Sequence, residues 1–334
     1  MRLSSVLALI SVLAQPHMGR ARVGQAMDLP KGIQQIDEQW MDFLTNPPQE
    51  ALELSETLAS RAEGLVQDLL ENMNGSLALS GELDVVCSGG GNFDAFYMGI
   101  HQVLSRVEHA TNGSAFSVLR HAGASAGGMM PFEISLKGEE PTLQSHLSYG
   151  VLTSMYPNYY RSTLTAAYLE DHHWREMAEW QTTTFADRLP SLDDKIFLAL
   201  TCLEPRITLV VVSNFTAEDD QATHAFMATG TYLEEYDGMV CSDGGTASGP
   251  KMTPLFQDHL RPQLIVDLME TGFPSDMVWS VNTTLYAELV QHGQDEAVSF
   301  LKTGSSSADA ITLCPTDANV ESNVCRPSSS SDTA

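Results

Sequence analysis

A serine flanked by glycines has the setting best suited to nucleophilic chemistry. Gly123-Ala-Ser-Ala-Gly127 lies between an apolar run and a helical stretch, and Gly-x-Ser-x-Gly between a strand and a helix forms a nucleophile elbow. Gly123 and Gly127 let strand and helix pass without a Cβ clash. The Ser125 hydroxyl then stands near a helix N-terminus, which favours negative charge. The pattern predicts that Ser125 is a nucleophile, although a plain Gly/Ser/Ala loop has the same composition.

A second motif, Gly89-Gly90-Gly91, follows an apolar strand directly and precedes a helix. Three glycines allow consecutive backbone N–H groups to point into one concavity, which suits an oxyanion or a phosphate. A nucleotide loop is excluded because Gly-x-x-x-x-Gly-Lys-[Ser/Thr] is missing. The Gly-x-Gly-x-x-Gly pattern is missing too, since it would need a glycine at Phe93 or Asp94. The motif predicts an anion-binding turn.

A third motif supplies a carboxylate. Asp243-Gly244-Gly245 follows the short apolar run Met239–Ser242. An aspartate followed by two glycines can project into a cleft while the backbone turns sharply away. An Asp-Gly turn between two elements is the structural alternative. The motif follows the other two in the chain and again lies at a strand end, and the three in this order are more specific than any one of them alone.

Together the three motifs resemble the patatin-like phospholipase family, in which an oxyanion glycine loop, a Gly-x-Ser-x-Gly elbow and an Asp-Gly-Gly follow in this order. The similarity extends roughly from Leu83 to Leu301. It includes Gly99 and Leu104 in the helix after the glycine loop, the small-residue stretch 225–229, and the closing helix at 292–297.

The resemblance implies a three-layer α/β/α patatin-like fold with a mainly parallel central sheet, and neither a cofactor nor a metal. It implies a Ser-Asp dyad without histidine, in which Ser125 is the nucleophile and Asp243 is the general base that a weakly nucleophilic serine needs. The backbone of Gly89, Gly90 and Gly91 would form the oxyanion hole. The implied substrate is a lipid acyl ester, cleaved in the manner of a phospholipase A or an acylglycerol lipase.

This chain also departs from the family pattern. Phe93 and Asp94 stand where the family has a basic residue and then glycine, and Ser248-Gly-Pro250 matches the Asn and Pro after Asp-Gly-Gly only in part. Pro131 falls early in the helix after the elbow, where it costs a hydrogen bond. The lost basic residue leaves open a secreted patatin-fold lipid-binding protein with weak or no catalysis.

A Ser-His-Asp α/β-hydrolase esterase is a further alternative. Its chain order of serine, acid and histidine would let His259 or His292 complete a triad with Ser125 and Asp243. The dyad explains the Asp-Gly-Gly motif with fewer assumptions, since Gly89–Gly91 lies very close upstream of the serine.

The elements that position these motifs alternate between strand and helix, which predicts an α/β fold with a largely parallel sheet. A helix pair is expected over 34–73, and the run 206–213 is expected to be a strand buried on both faces because it is continuously β-branched and apolar. The remaining expectations are strands at 83–87, 116–121 and 239–242, and helices at 93–110 and 285–301.

The N-terminus predicts secretion. Arg2 is followed by an apolar run that ends at Ala14, too short to span a bilayer but typical of a signal peptide. We expect a signal over 1–20 with cleavage between 14 and 26, a lipid acyl hydrolase domain over 27–304, and a loose tail over 305–334. A buried N-terminal helix is the alternative. No later segment is apolar enough to span a membrane.

Sequons and cysteines fit a secreted protein. Cys314 and Cys325 flank a polar loop and are the expected disulfide, whereas Cys87 and Cys241 precede glycine-rich turns and are expected to be small apolar core residues. No cysteine has zinc spacing. The candidate glycosylation sites are Asn74, Asn112, Asn214 and Asn282.

Charge limits the possible partners. The chain has 17 Lys+Arg against 43 Asp+Glu and a formal charge of −26, so nucleic acid and anionic membrane surfaces are disfavoured. Contact with a neutral or zwitterionic lipid surface remains compatible. His172 and His173 follow two acids, but adjacent helical residues point about 100° apart, so a solvated helix face is preferred to a metal site.

Overall fold

One sheet forms the centre of the structure. The computed structural model describes residues 31–72, 77–160, 163–203, 207–216, 220–230, 234–245, 256, 258, 260–274, 282–306 and 309–315. Within them, eight strands join in a single sheet. The chain divides into two compact units, residues 1–39 and residues 40–334. The predicted signal peptide lies outside the described residues, and the sheet belongs to the second unit.

Helices and strands are interspersed along the described chain. The strands are β1 (Gly81–Cys87), β2 (Phe116–Ala124), β3 (Ile196–Cys202), β4 (Thr208–Val212), β5 (Glu234–Tyr236), β6 (Met239–Asp243), β7 (Gln263–Val266) and β8 (Ile311–Cys314). The helices are α1 (Lys31–Thr45), α2 (Gln49–Asn72), α3 (Asp94–Ala110), α4 (Ala126–Lys137), α5 (Glu139–Met155), α6 (Pro157–Tyr160), α7 (Thr163–Thr184), α8 (Gln221–Gly230) and α9 (Thr283–Thr303). Short 3₁₀ turns occupy Gly91–Phe93, Ala186–Leu192 and Leu268–Glu270.

The centre of the sheet is parallel. The strand order is β5-β6-β3-β2-β1-β7-β8, and β4 also pairs with β3. Strands β3, β2, β1 and β7 run parallel, whereas β4, β6 and β8 join them antiparallel. The fold is therefore mixed α/β with a mainly parallel central sheet between helical layers, as predicted. Because parallel strands end at one edge, the turns after β1 and β2 meet there.

The two faces of the sheet are packed differently. One face of β1 joins a large apolar cluster that takes residues from α2, α3, α5 and α9. The other face forms a small cluster in which Phe256 is the largest member, and its strand residues are Val86, Ala122, Ala124 and Ala199. Burial of this kind contributes about 25 cal/mol per Å² of apolar surface removed from water.

Helix α3 crosses α9 with their backbones almost in contact. A Cβ at Gly99 would lie 2.0 Å from the Val290 carbonyl oxygen, and one at Gly293 would lie 2.0 Å from that of Phe96. Both distances are far inside van der Waals contact, so only glycine fits at either position. The crossing holds α3, which begins directly after the glycine loop, tightly on the core.

Helix α9 has clear signals at both ends. The Asn282 side chain accepts a hydrogen bond from the Leu285 amide (2.8 Å), a standard N-cap. Gly304 ends the helix with φ +76 and donates its N–H to the Phe300 carbonyl (2.8 Å). The predicted closing helix and the predicted helix pair before β1 are both confirmed, with bounds that differ by a few residues.

The expectation for the run 206–213 was wrong. Its described part forms β4, which pairs only with β3 among the described strands and exposes most of its residues, including Leu209 and Val211. Continuous apolar character therefore does not report burial on both faces here. The strand next to β2 in the sheet is instead β3, a run of seven residues that was not predicted from the sequence.

The C-terminal region is not entirely a loose tail. Residues Ile311–Cys314 form β8, which pairs antiparallel with β7. The tail expectation over 305–334 is thus wrong for this segment, because β7 offers a free edge that four residues can cover. Residues 316–334 lie outside the described part.

The observed disulfide joins Cys202 to Cys241, residues directly opposite each other on β3 and β6. Cys241 is buried in the core as expected, but it is not an unpaired thiol, because the antiparallel register places it opposite Cys202. Cys87 is free and buried, as expected. Cys314 is disulfide-bonded, but Cys325 lies outside the described residues, so that pairing stays a prediction.

Within the part of the chain that is described, we find no helix with both the length and the apolar character that crossing a bilayer requires.

Candidate active site

Ser125 occupies a strained turn between β2 and α4. Its backbone has φ +53 and ψ −139, a region that residues with a Cβ rarely adopt. The Ser125 carbonyl accepts from the amides of Gly128 and Met129, both at 2.9 Å, so the residue is the N-cap of α4. Such strain persists only where the surroundings enforce it, and it is concentrated at functional sites.

The glycines of the elbow are required by close backbone approach. A Cβ at Gly123 would lie 2.1 Å from the Gly127 carbonyl oxygen, and a Cβ at Gly127 would lie 2.2 Å from that of Ser88. Helix α4 continues through Pro131. Because Pro131 has no N–H, the Gly127 carbonyl has no donor four residues on, and this oxygen is the one that faces Gly123. The proline is accommodated without breaking the helix.

Thr229 at the end of α8 holds the elbow. The Ser125 amide donates to the Thr229 carbonyl (2.9 Å) and lies 3.2 Å from its hydroxyl. That hydroxyl in turn donates to the Ala199 carbonyl on β3 (2.8 Å). Thr229 is fully buried. Sequence reasoning noticed the small-residue stretch 225–229 but assigned Thr229 no role.

Asp243 ends β6, opposite Leu200 of β3, and the Ser125 hydroxyl lies close enough to its carboxylate to lower the pKa of Asp243. The Gly245 amide donates to Asp243 Oδ1 (2.7 Å). Burial raises the pKa of Asp243 above its usual value, although the Ser125 hydroxyl and the Gly245 amide oppose the shift. A Cβ at Gly244 would lie 2.1 Å from the Ala199 carbonyl oxygen, which explains the first glycine of Asp-Gly-Gly.

The glycine loop lies against the serine. A Cβ at Gly89 would lie 2.9 Å from the Ser125 Cβ and 3.7 Å from its Oγ, so only bare backbone separates the loop from the hydroxyl. Gly91 has φ +52. Among the described residues, no protein acceptor takes the amide N–H of Gly89, Gly90 or Gly91. These donors are therefore free to face an anion.

Helix α4 adds a donor that sequence reasoning missed. The amide of Ala126, the first of the helix, also has no acceptor within the described part of the chain. The elbow pattern itself points to this group, because the residue after the nucleophile contributes to the oxyanion hole in such turns. Together with the helix dipole, these amides form a positive concavity beside Ser125.

The loop is anchored from β7. The Ser88 hydroxyl lies 3.1 Å from Asp267 Oδ1 and accepts from the Leu268 amide (2.8 Å). A Cβ at Gly90 would lie 2.6 Å from the Leu268 Cβ, so the turn after β7 packs directly on the glycine loop. The anchoring explains how a run of three glycines keeps one conformation.

The histidines examined as triad candidates are engaged elsewhere. His292 Nε2 lies 2.9 Å from the Thr271 carbonyl oxygen, and its ring packs on Phe96 and Phe273. No contact joins it to Ser125 or Asp243 within the described residues. His259 lies outside them. Of the two candidates, the described one, His292, therefore lies apart from Ser125 and Asp243.

No described group of three or more His, Cys, Asp or Glu side chains is arranged to hold a metal ion. His172 lies near Glu176, four residues on (3.4 Å). His173 is fully buried and packs on Trp40 and Tyr149, so the solvated-face expectation was wrong for His173. Its neighbours on α1 and α5 make it a core residue.

The glycosylation candidates are surface residues where the structure describes them. Asn112, Asn214 and Asn282 are exposed, and Asn74 lies outside the described residues. Asn282 uses its side-chain oxygen as the cap of α9. Attachment of a glycan at any of the four stays a prediction.

Comparisons with known proteins give little. No protein-family model matches the chain, and no curated protein matches it. Among solved structures, it is similar to a chain of the heterodimeric complex ExoU-SpcU from the type III secretion system of Pseudomonas aeruginosa, with 14% identity and a TM-score of 0.31. The match covers 68% of this chain and 52% of that one, so it spans about half of that chain's length. So distant a likeness says nothing about function.

Proposed function

We propose that this chain is a serine hydrolase of carboxylic esters that acts on lipid acyl esters, with Ser125 as nucleophile and Asp243 as general base. One observation carries the proposal: the Ser125 hydroxyl, on a turn with φ +53, lies close enough to the Asp243 carboxylate to lower the pKa of that group. The amides of Gly89, Gly90 and Gly91, which have no protein acceptor within the described part of the chain, support it. The lipid nature of the ester rests on the motif resemblance.

In the first step, Asp243 takes the hydroxyl proton while Ser125 Oγ bonds to the ester carbonyl carbon. The carbonyl oxygen becomes an oxyanion that the free amides of the glycine loop receive, at about 3 kcal/mol for each well-placed donor. The ester C–O bond then breaks, and the leaving alkoxide takes the proton from Asp243. An acyl group remains on Ser125.

In the second step, Asp243 accepts a proton from water, and the resulting hydroxide equivalent attacks the acyl carbon. The bond to Ser125 Oγ breaks and the serine recovers its proton. A fatty acid leaves. The formal charge of −26 opposes each oxyanion, so the local donors matter more here than in a neutral protein.

We propose that the protein enters the secretory pathway and meets its substrate at a neutral or zwitterionic lipid surface as a peripheral protein. The N-terminal signal pattern and the four sequons support secretion. The acidic charge supports contact through apolar and neutral groups, because anionic headgroups repel it.

The test measures fatty-acid release from micelles of phosphatidylcholine, triacylglycerol and galactolipid by wild type, Ser125→Ala and Asp243→Asn. We expect both variants to lose activity, by roughly 10⁴-fold or more for Ser125→Ala, and a fluorophosphonate to label wild type only. Ser191→Ala removes an exposed serine hydroxyl and serves as the matched control.

Undiminished release by Ser125→Ala would overturn the proposal. A folded wild type that binds lipid but takes no fluorophosphonate would favour the lipid-binding alternative. Loss of activity in His292→Ala, with retained stability, would instead favour a histidine triad.

A further inference from the structure

A group of ionisable side chains is buried next to the glycine loop and takes no part in the hydrolysis above. Asp94, Glu133, Lys137 and His146 are 6%, 0%, 4% and 5% exposed. Buried charges cost free energy unless they are paired, and even paired ones seldom improve on apolar packing. A cluster of this size therefore calls for a role beyond stability.

His146 on α5 joins two carboxylates at once. Its Nδ1 lies 3.3 Å from Asp94 Oδ2, and its Nε2 lies 3.4 Å from Glu133 Oε1. Glu133 Oε2 pairs with the Lys137 ammonium at 2.8 Å, and that ammonium also donates to the Ser145 hydroxyl (3.2 Å). The ring is fixed further by packing against Trp174 and Tyr286, the latter on α9.

The two carboxylates belong to the two halves of the active site. Asp94 opens α3 immediately after the turn Gly91–Phe93 that completes the glycine loop. Glu133 lies on α4, about two turns after Ser125. A side chain that holds both residues therefore links the oxyanion donors to the helix that carries the nucleophile.

We propose that His146 is a positioning residue, whose bridge between Asp94 and Glu133 fixes the glycine loop against the elbow helix and so sets the distance from the loop amides to Ser125. Its catalytic consequence rests on the proposed function. The bridge itself is a property of the fold and can be tested without substrate.

The charge states favour a bridge near neutral pH. Burial lowers the pKa of His146, but the Glu133 and Asp94 carboxylates outweigh burial and raise it above its usual value. Burial raises the pKa of Asp94 to about 6, against the opposing effect of His146. The groups that face His146 are Asp94 on α3, Glu133 and Lys137 on α4, and the Tyr286 phenol on α9.

The pH dependence follows from these directions. A raised histidine pKa gives stabilisation that is complete below the unfolded value near 6.5 and is lost as pH rises through the folded value. Asp94 becomes ionised only above about pH 6. The fully charged bridge therefore exists between about pH 6 and the raised pKa of His146, and it weakens above that window.

The first experiment follows amide hydrogen exchange of peptides covering 86–96 and 126–137 in wild type, His146→Phe and Asp94→Asn. His146→Phe keeps an aromatic ring against Trp174 but removes both ion pairs. Asp94→Asn removes one of the two ion pairs together with a buried charge. It still tests the bridge if His146→Phe fails to fold. Leu69→Ala, which creates a cavity at a fully buried position of α2, is the control for general destabilisation.

We expect exchange in both peptides to be at least several-fold faster in His146→Phe and Asp94→Asn, and unchanged relative to the rest of the molecule in Leu69→Ala. The labelling rate of Ser125 by a fluorophosphonate should fall about tenfold in the two bridge variants. In wild type this rate should also decline as pH rises above the window of the charged bridge. That pH-dependent decline should be absent in His146→Phe. Exchange and labelling that match Leu69→Ala would overturn the bridge.

A titration of wild type adds a readout that needs no bridge variant. A protonated imidazole quenches a neighbouring indole, so Trp174 emission, isolated by comparison with Trp174→Phe, should rise as His146 loses its proton above pH 6.5. Emission that stays constant up to pH 10 at the unquenched level of His146→Phe would mean that His146 is never charged in the fold, and the proposal would fail. If wild type takes no fluorophosphonate, the proposed function fails, while exchange and emission still decide the bridge.

Discussion

The amide of Ser125 is held by Thr229 in two ways, through the main-chain carbonyl at 2.9 Å and through the side-chain hydroxyl at 3.2 Å. The two residues are 104 positions apart in the chain. The Thr229 hydroxyl donates a hydrogen bond to the Ala199 carbonyl, so one buried side chain links the elbow to β3. The left-handed backbone of Ser125 is thus enforced from a helix that carries no catalytic group.

Thr229→Val should therefore reduce the turnover number about three- to tenfold and leave the Michaelis constant nearly unchanged, because it loosens the nucleophile without touching the substrate. Thr229→Ser should restore most of the activity. Thr223→Val on the same helix loses a buried hydroxyl pair with Thr182. It should lower the unfolding temperature about as much as Thr229→Val does, but leave the turnover number unchanged. Steady-state kinetics and thermal unfolding of the three variants decide it. Equal kinetic losses in Thr229→Val and Thr223→Val would show that the hydroxyl does no more than stabilise the fold.

Asp243→Asn should make the protein inactive yet more stable at neutral pH. The raised pKa of Asp243 means that its protonated form favours folding below the unfolded value, and that this advantage is lost as pH rises through the folded pKa. The variant should unfold at a higher temperature than wild type at pH 7, with the gap closing towards pH 3. Wild-type activity should fall as pH drops through the same raised pKa.

The control for this pair of measurements is Asp295→Asn, which removes an exposed carboxylate paired with Arg61. Its effect on stability should stay within about 0.5 kcal/mol. A lower unfolding temperature for Asp243→Asn than for wild type at pH 7 would contradict the prediction.

Gly89→Ala should leave the fold intact and impair catalysis. Gly89 does not have a positive φ, but the new methyl group would lie 2.9 Å from the Ser125 Cβ and would push the loop amides from the hydroxyl. We expect a fall of about 10²-fold in turnover, the cost of one misplaced oxyanion donor. Gly64→Ala in α2, where a Cβ meets nothing within 4 Å, should be fully active. Normal turnover by Gly89→Ala would argue against this loop as the oxyanion hole.

Replacing Cys202 and Cys241 together by serine should lower the free energy of unfolding by about 4 kcal/mol, since the bond closes a loop with a sequence separation of 39. Activity should also fall, because Asp243 follows Cys241 by two residues on the same strand. Chemical unfolding and ester hydrolysis measure the two effects. An unchanged unfolding midpoint would show that pairing β3 with β6 needs no covalent link.

The sequence predicts which residues of the candidate active site lie together better than it predicts the sheet. The Ser125 elbow, the glycine loop and Asp243 come together as their motifs imply, because each motif encodes a local turn whose geometry depends on glycines within the motif. Helices α3 and α9 were likewise predicted from the sequence.

The errors concern long-range pairing. The residues of the run 206–213 do not distinguish an edge strand from a central one, because burial depends on the strands and helices that pack against the run. The Cys202–Cys241 bond depends on the register between β3 and β6, and the holding of Ser125 by Thr229 depends on where a distant helix ends. The charged cluster at His146 is likewise scattered over three helices in the sequence.

The crossing of α3 and α9 at Gly99 and Gly293 has a consequence for recognising kinship. Both glycines are dictated by backbone meeting backbone, a demand that persists whatever chemistry the protein performs. A relative that has lost its serine and aspartate would still need them, together with Gly123 and Gly127 at the elbow. Glycine at these four positions is therefore a sequence pattern set by the fold, by which relatives without the serine and aspartate can be recognised.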